Sequence, residues 1–278
     1  MTRGERPTVA VHKFSSCDGC QLAFLNLGED LITLAGRVEI RHFAEAGVMD
    51  EDAEVDVAFV EGSVSVPADL ERIRRIREHS RFLVAIGACA TSGGIQALRR
   101  LHDGAALKAA VYPSPEYIDA LDASTAIDRH VKVDLQLGGC PVDSRQVLEA
   151  VADLLAGVRP VAERAPLCQE CKRRGVTCVM VARGEPCMGP VTRAGCGALC
   201  PSFGRACYAC YGPPGLYNAP ALAARFGALG LDEAAVARRL RYLHSGVAAY
   251  EAAARAVLGL PPEAGAGDER HSGGCRGR

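Results

Sequence analysis

The chain has 278 residues, 49% of them apolar, which is enough for one substantial core and a smaller second unit. Its 32 basic and 33 acidic side chains leave a net charge of −1, which gives no electrostatic basis for binding nucleic acid or acidic lipid. No run of about 18 apolar residues predicts a membrane span. The opening segment MTRGERPTV lacks a hydrophobic targeting sequence, so we expect a cytoplasmic protein.

Strands and helices are predicted to alternate through residues 1–160. Short β-branched apolar runs predict strands at 8–14, 37–43, 55–60, 81–87 and 131–139. Helical spacing predicts helices at 21–35, 67–79, 93–102 and 143–157, and Pro67 is a favoured first-turn residue. This alternation predicts an α/β domain with a doubly wound, flavodoxin-like parallel sheet.

A second domain is predicted over residues 161–278, after a linker around residue 158. Gly, Pro and Cys dominate from Cys168 to Cys210, and such a segment buries too little apolar area to be stable unaided. Helical spacing returns at 219–229 and 232–256. The last residues, which include Cys275, have the composition of a flexible tail.

The thirteen cysteines are the unusual feature of the composition. In an enzyme-sized chain without a secretion signal they indicate metal or redox chemistry rather than disulfides. Four of them follow predicted strands, and parallel strands end at one edge of a sheet, where ligands bind. We therefore expect one four-thiolate site, for zinc or for a 4Fe-4S cluster, formed by Cys17, Cys20, Cys89 and Cys140.

Glycines next to these cysteines support a bulky inorganic ligand. GAC and LGGC place glycines before a thiol, which permits unusual dihedral angles and close backbone approach. Glu61 ends the third strand and should reach the same edge. A thioredoxin-like dithiol is the competing interpretation of Cys17 and Cys20, but it leaves Cys89 and Cys140 unexplained.

Eight further cysteines follow in a nearly mirror-symmetric pattern. The gaps between them are 2, 6, 8, 8, 3, 6 and 2 residues, which predicts two more four-thiolate sites. A sequential division between the two sites and a crossed division, as in two-cluster ferredoxins, both remain open. The cysteines are Cys168, Cys171, Cys178, Cys187, Cys196, Cys200, Cys207 and Cys210.

Zinc would also stabilise this segment, as a non-enzymatic scaffold. A structural zinc module, however, has no need of a third thiolate site on a separate sheet. Three sites in succession indicate an electron relay, so a ferredoxin-like iron–sulfur segment is expected after the sheet, followed by the C-terminal helices. Lys172, Arg173, Arg174 and Arg205 lie beside these thiols, where they either raise cluster potentials or form a solvated surface.

The combined motifs resemble the small, electron-transferring subunit of nickel-iron hydrogenases. The carriers of the resemblance are CxxC at Cys17 and Cys20, GAC at Cys89 and GGCP at Cys140. The segment GPVTRAGCGALCPSFGRACYACYGP is most similar to the cytoplasmic, NADP-linked group, also called sulfhydrogenases, some of which also reduce sulfur.

The resemblance implies three 4Fe-4S clusters: a proximal one on the first four cysteines, and a medial and a distal one on the other eight. It implies a nickel-iron large subunit as partner, with an iron–sulfur subunit and a flavin subunit that handles NAD(P). The chain itself would hold no catalytic residue. An F420-linked or heterodisulfide-linked hydrogenase is the nearest rival. In the equivalent 20 kDa-type quinone oxidoreductase subunit, the first two cysteines are adjacent, whereas here Asp18 and Gly19 separate them.

Overall fold

A parallel sheet of five strands forms the first half of the protein, in a computed structural model that describes residues 6–262. The strand order is β2-β1-β3-β4-β5, which confirms the predicted flavodoxin-like fold. The last strand has three residues instead of the nine predicted. The strands are β1 Thr8–Lys13, β2 Glu39–Phe43, β3 Val55–Glu61, β4 Ser80–Ile86 and β5 Leu135–Leu137.

The helices of the first half pack beside the sheet and lead into the thiol-rich segment. The predicted helix at 21–35 is two helices, because Gly28 between them has φ 62°. The helix predicted at 93–102 is a 3₁₀ helix at Gly94–Leu101 that follows a short α-helix. The α-helices are α1 Gly19–Leu25, α2 Glu29–Ala35, α3 Pro67–Glu78, α4 Gly87–Ser92, α5 Gly104–Val111, α6 Ser144–Leu155 and α7 Leu167–Arg173.

The second half contains short helices and then a helical bundle. The predicted helix at 232–256 is broken between residues 241 and 248. The remaining helices are α8 Val179–Arg183, α9 Leu199–Ser202, α10 Ala219–Ala228, α11 Glu233–Arg241 and α12 Ala248–Val257. In the described part of the chain, no helix combines the length and the apolar character needed to cross a bilayer.

Two apolar clusters pack on opposite faces of the sheet, because successive side chains of a strand point to opposite sides. Val9 and Val11 face the cluster that includes α1 and α6, whereas Ala10 faces the cluster that includes α3. A third cluster is formed by residues 167–254, including Phe226 and Tyr250. Each half of the chain therefore has buried apolar side chains of its own.

Candidate functional site: three groups of cysteine thiols

Four cysteines lie at the carboxyl edge of the sheet, and we name them the edge set. Cys17 and Cys20 flank the start of α1, directly after β1. Cys89 lies on α4, which follows β4, and Cys140 follows β5. Cys20 is buried, whereas Cys17 and Cys140 are exposed. Three separate loops thus bring these thiols to one edge, as the strand order requires.

The thiols of the edge set are close enough to interact electrostatically. Burial, together with negative charge on Cys140 and Cys17, raises the pKa of the Cys89 thiol to about 11. The pKa of Cys20 is raised still more, first by burial and then by Glu61, Cys89 and Cys140. Such thiols stay protonated at neutral pH unless a cationic centre binds them and displaces their protons.

Two glycines permit the close packing of backbone around these thiols. A Cβ atom at Gly87, where φ is +82°, would lie 2.3 Å from Cys20 Sγ. A Cβ atom at Gly94, where φ is +58°, would lie 2.7 Å from Cys89 Sγ. Only glycine combines this space with these dihedral angles. The backbone therefore comes directly against two of the four sulfur atoms.

The Glu61 carboxylate holds the start of α1 against the sheet. Its oxygens accept hydrogen bonds from the backbone N–H groups of Cys20 at 3.1 Å and Gln21 at 3.2 Å. Burial raises the pKa of this carboxyl, and the two N–H donors oppose the shift. Glu61 therefore fixes the loop that carries Cys17 and Cys20 from the neighbouring strand β3.

The eight later cysteines form two further neighbourhoods. Burial, followed by charges on Cys187, Cys171 and Cys178, raises the pKa of Cys168 to about 11. Burial, followed by charges on Cys196 and Cys200, raises the pKa of Cys210 to about 12. We name Cys168, Cys171, Cys178 and Cys187 the outer set, and Cys196, Cys200, Cys207 and Cys210 the inner set.

Specific contacts join the three sets in space. The Cys140 backbone N–H faces the Cys210 thiol and lowers its pKa against the effect of burial, which connects the edge set to the inner set. The Cys207 N–H donates to Cys187 Sγ at 3.2 Å, which connects the inner set to the outer set. The spatial order is therefore edge, inner, outer, although the outer set precedes the inner set in the chain.

Strained backbone occurs between paired cysteines. In residues 6–262, the non-glycine residues with positive φ are Asp18, Ala198 and Ala209. Asp18 lies between Cys17 and Cys20, and the other two lie in the corresponding gaps of the inner set. A left-handed residue costs about 1–2 kcal/mol. Each turn directs two nearby thiols into one site, and strain of this kind occurs where ligand geometry requires it.

The donor chemistry of the three sets fits iron–sulfur clusters. Each set supplies four thiols and no imidazole, and backbone N–H groups donate to several sulfur atoms, including Ala209 N to Cys207 Sγ at 3.3 Å. Among residues 6–262, no three Cys, His, Asp or Glu side chains meet as the ligands of a single ion. A four-iron cluster binds each thiolate at a different iron, whereas one zinc ion holds all four at about 2.3 Å.

Several residues near the thiols carry no sequence signal for this role. Glu170 accepts from the N–H groups of Gly195 at 2.8 Å and Ala198 at 3.0 Å, and so holds the Cys196 loop as Glu61 holds the Cys20 loop. Its position within CQEC could have indicated this. His244 lies in a predicted helix interior and gave no such indication.

The basic residues beside the thiols are on the surface. Lys172, Arg173, Arg174 and Arg205 are exposed. Arg174 Nη1 donates to the Gly197 carbonyl, and Arg173 donates to Gln169 Oε1 at 3.2 Å. Water screens exposed charges, so their influence on a cluster potential is small. The solvated-surface interpretation is the better one for these side chains.

Comparison with known proteins agrees with this architecture. The family model "NADH ubiquinone oxidoreductase, 20 Kd subunit" matches residues 17–154. The delta chain of sulfhydrogenase 2 from Pyrococcus furiosus is 35% identical over 233 residues, covering 84% of this chain and 97% of the relative. A chain of the F420-non-reducing hydrogenase vhu from Methanococcus voltae is 32% identical over 225 residues, covering 70% of this chain and 78% of the relative.

A solved structure shows the same relationship. A chain of an NAD⁺-reducing [NiFe]-hydrogenase, crystallised in the H2-reduced state, superposes with a TM-score of 0.52 at 28% identity, covering 56% of this chain and 95% of the other. The flavodoxin-like sheet with thiols along its edge thus defines an oxidoreductase subunit of the 20 kDa type. Within that class, this chain belongs to the family of nickel-iron hydrogenase small subunits that includes the sulfhydrogenase delta chain.

Proposed function

We propose that this chain conducts electrons between the nickel-iron site of a large subunit and a NAD(P)-linked flavin subunit. The observation that carries the proposal is the contiguity of the three thiol sets, through Cys140 and Cys210 and through Cys207 and Cys187. Clusters bound there supply reversible one-electron oxidation and reduction. The protein positions them, donates hydrogen bonds to their sulfurs and limits their contact with water.

All twelve cysteines are proposed as ligands of three 4Fe-4S clusters. The edge set would hold the proximal cluster, the inner set the medial cluster and the outer set the distal cluster. The pKa coupling within each set supports this sequential division. Cys207 lies close to both Cys187 and Cys210, so it is the residue on which a crossed division would depend.

The division into domains 1–160 and 161–278 is also a proposal. Separate apolar clusters in the two halves support it. The proposed partners are a nickel-iron large subunit beside the edge set, and iron–sulfur and flavin subunits beyond the outer set. We propose a cytoplasmic location, in keeping with a nicotinamide acceptor. Cys275 lies outside the described residues and is assigned no role.

A heterodisulfide-linked hydrogenase is the second candidate, because the Methanococcus voltae relative is 32% identical. Both candidates use the same relay and differ in the acceptor at its outer end. The quinone oxidoreductase alternative is less well supported, because the 20 kDa family model ends at residue 154, before the eight later cysteines. The zinc scaffold predicts a different metal and no electron transfer.

Metal analysis of the assembled complex tests the proposal. We expect a brown complex, isolated without oxygen through a tag on this chain, with about twelve iron and twelve sulfide per copy of the chain. Nickel should copurify in the large subunit, and hydrogen should reduce a viologen dye. A colourless preparation with stoichiometric zinc would identify a scaffold. Copurification of quinone-binding subunits without nickel would identify the quinone oxidoreductase class.

A further inference from the structure

A cationic surface with an apolar centre surrounds the outer end of the thiol relay. Residues 168–210 contain six lysine or arginine residues and two glutamates, although the whole chain is nearly neutral. Charge is therefore concentrated where the thiols reach the surface. We name this surface the arginine face, and it consists of Arg174, Arg183, Arg205 and Arg239 with Val181, Leu199, Phe203 and Tyr208.

Contacts between its members show that the arginine face is continuous. A Cβ atom at Gly204 would lie 3.1 Å from Arg183 Nη1, so α8 packs against the loop that contains Phe203 and Arg205. The Arg239 guanidinium lies 4.6 Å above the Tyr208 ring. Hydrogen bonds from Arg239 and Arg205 lower the pKa of the Tyr208 hydroxyl.

The apolar centre is unusually exposed for side chains of this size. Val181 is 82% exposed, Phe203 77% and Leu199 57%. Exposed apolar side chains grouped within a charged rim are typical of surfaces that bind another protein. Arginine and aromatic residues are enriched at such surfaces.

The thiols reach this surface directly. Cys178 is exposed and caps the start of α8, the helix that carries Val181 and Arg183. Cys200 lies next to Leu199 on α9. A partner bound over the apolar centre would therefore approach the outer end of the relay closely. Electron transfer slows steeply with distance, so this approach favours transfer at the arginine face.

We infer that the arginine face is the docking site for an acidic electron-transfer protein, with carboxylates placed around an apolar contact. The inference rests on the proposed function and specifies the charge of the partner. Glu185, which pairs with Arg183 at 3.1 Å, contributes a negative charge, and the exposed arginines outnumber it. Each docking event transfers one electron, so the two electrons of one H2 reduce two one-electron carriers while two protons are released at the large subunit.

Binding measurements on the assembled complex test the charge of the docking site. The probe is an acidic two-iron ferredoxin, titrated in its oxidised form so that hydrogen chemistry is not required. We expect Kd to rise at least about tenfold between about 0.05 M and about 0.5 M salt, because screening weakens opposite charges. The double variant Arg183→Glu/Arg205→Glu should weaken binding by a similar factor at low salt, and Phe203→Ala should weaken it at both salt concentrations.

Matched controls separate this inference from the proposed function. Arg159→Glu changes an exposed arginine outside the arginine face and should bind ferredoxin as the unmodified complex does. A basic cytochrome c should bind the double variant more tightly than the unmodified complex. Equal binding of ferredoxin by the double variant, or an equal loss in Arg159→Glu, would overturn the docking site. Arginine-dependent binding without hydrogen-driven reduction of ferredoxin or viologen would instead overturn the proposed function.

Discussion

The Nδ1 atom of His244 lies 2.6 Å from the Ser92 hydroxyl oxygen, in a contact that joins the two halves of the protein. Ser92 ends α4, the helix that carries Cys89. On its other side the imidazole packs against Gly212, two residues after Cys210. A Cβ atom at Gly246 would meet the Ser92 carbonyl oxygen at 2.3 Å. His244 therefore lies between the backbone of the edge set and that of the inner set.

Replacing His244 should disturb the alignment of these two sets. Burial lowers the pKa of this histidine to about 4, so the ring is neutral at pH 7. His244→Ala leaves a cavity and an unpaired Ser92 hydroxyl, which should cost about 3 kcal/mol of unfolding free energy. We expect altered magnetic coupling between the proximal and medial clusters in electron paramagnetic resonance, with the iron content retained.

Two variants distinguish positioning by His244 from a general loss of stability. His244→Gln keeps an amide that can pair with Ser92 and should restore the coupling. His102→Ala removes an exposed histidine and should change nothing. If His244→Ala retained the unmodified coupling and the unmodified electron-transfer rate, His244 would have no positioning role.

Cys207→Ala should remove the medial cluster alone. Alanine retains the N–H that donates to Cys187 Sγ, so the outer set keeps this contact while the inner set loses a thiolate. Hydrogen–deuterium exchange at the large subunit should persist, and hydrogen-driven NAD(P) reduction should fall to background. Iron content should fall by about four per chain.

The control for this variant is Cys275→Ala, which should behave as the unmodified complex. Cys17→Ala should instead stop all electron transfer out of the large subunit, including transfer to dyes. Undiminished NAD(P) reduction by an intact, nickel-containing Cys207→Ala complex would remove this residue from the relay. Loss of the distal signal in place of the medial signal would favour a crossed division of the eight cysteines.

Ala209 should tolerate glycine and reject valine. Its φ of 68° is strained for alanine, and a β-branched side chain is still less compatible with it. We expect Ala209→Gly to retain all clusters and stability within about 1 kcal/mol, whereas Ala209→Val should lose the medial cluster. Iron content and anaerobic thermal unfolding measure both effects. Equal cluster content in the valine variant would show that this backbone conformation is not required.

Removal of Glu251 should strongly destabilise the C-terminal helices. Both carboxylate oxygens accept from Arg241 at 2.7 Å, and Glu251 is 3% exposed. Glu251→Ala leaves a buried guanidinium without this partner, which should cost about 3–5 kcal/mol in urea unfolding. Arg81→Ala breaks the exposed ion pair with Asp56 and should cost less than about 1 kcal/mol. Similar losses in the two variants would contradict the importance of burial.

The stacked pair His12 and His42 should make the protein less stable in mild acid. Their rings are 4.7 Å apart, and burial lowers both pKa values, that of His12 to about 3. The unfolded chain takes up protons near pH 6.5, before the folded chain does. Stability is therefore complete above about pH 6.5 and declines below it, by up to about 1.4 kcal/mol per pH unit for each histidine.

The measurement for this pair is unfolding free energy at about pH 7 and about pH 5.5. His12→Gln removes one titrating group, so its stability should decline less steeply than that of the unmodified protein. His102→Ala is the exposed control and should keep the original slope. A slope that is the same in all three proteins would show that His12 is not the buried acid-sensitive group.

Local sequence patterns predicted most of the sheet and its helices. Short β-branched runs identified four strands within a few residues, because these side chains suit a buried pleated surface. The nine-residue prediction for β5 was too long, since only Leu135–Leu137 pair with β4. The helix break around His244 was missed because the apolar spacing continues across it, and tertiary contacts with Ser92 decide the conformation there.

The sequence by itself determined the number of thiols, their grouping near strand ends and the strand order that brings the edge set together, because these features follow from spacing and from the rules of parallel sheets. The tertiary structure alone decided the spatial order of the sets. The chain returns from the outer set to place Cys210 against Cys140, so the last thiols in sequence lie in the middle of the relay. Contacts between residues so far apart in the chain depend on packing between the two halves, which no local pattern records.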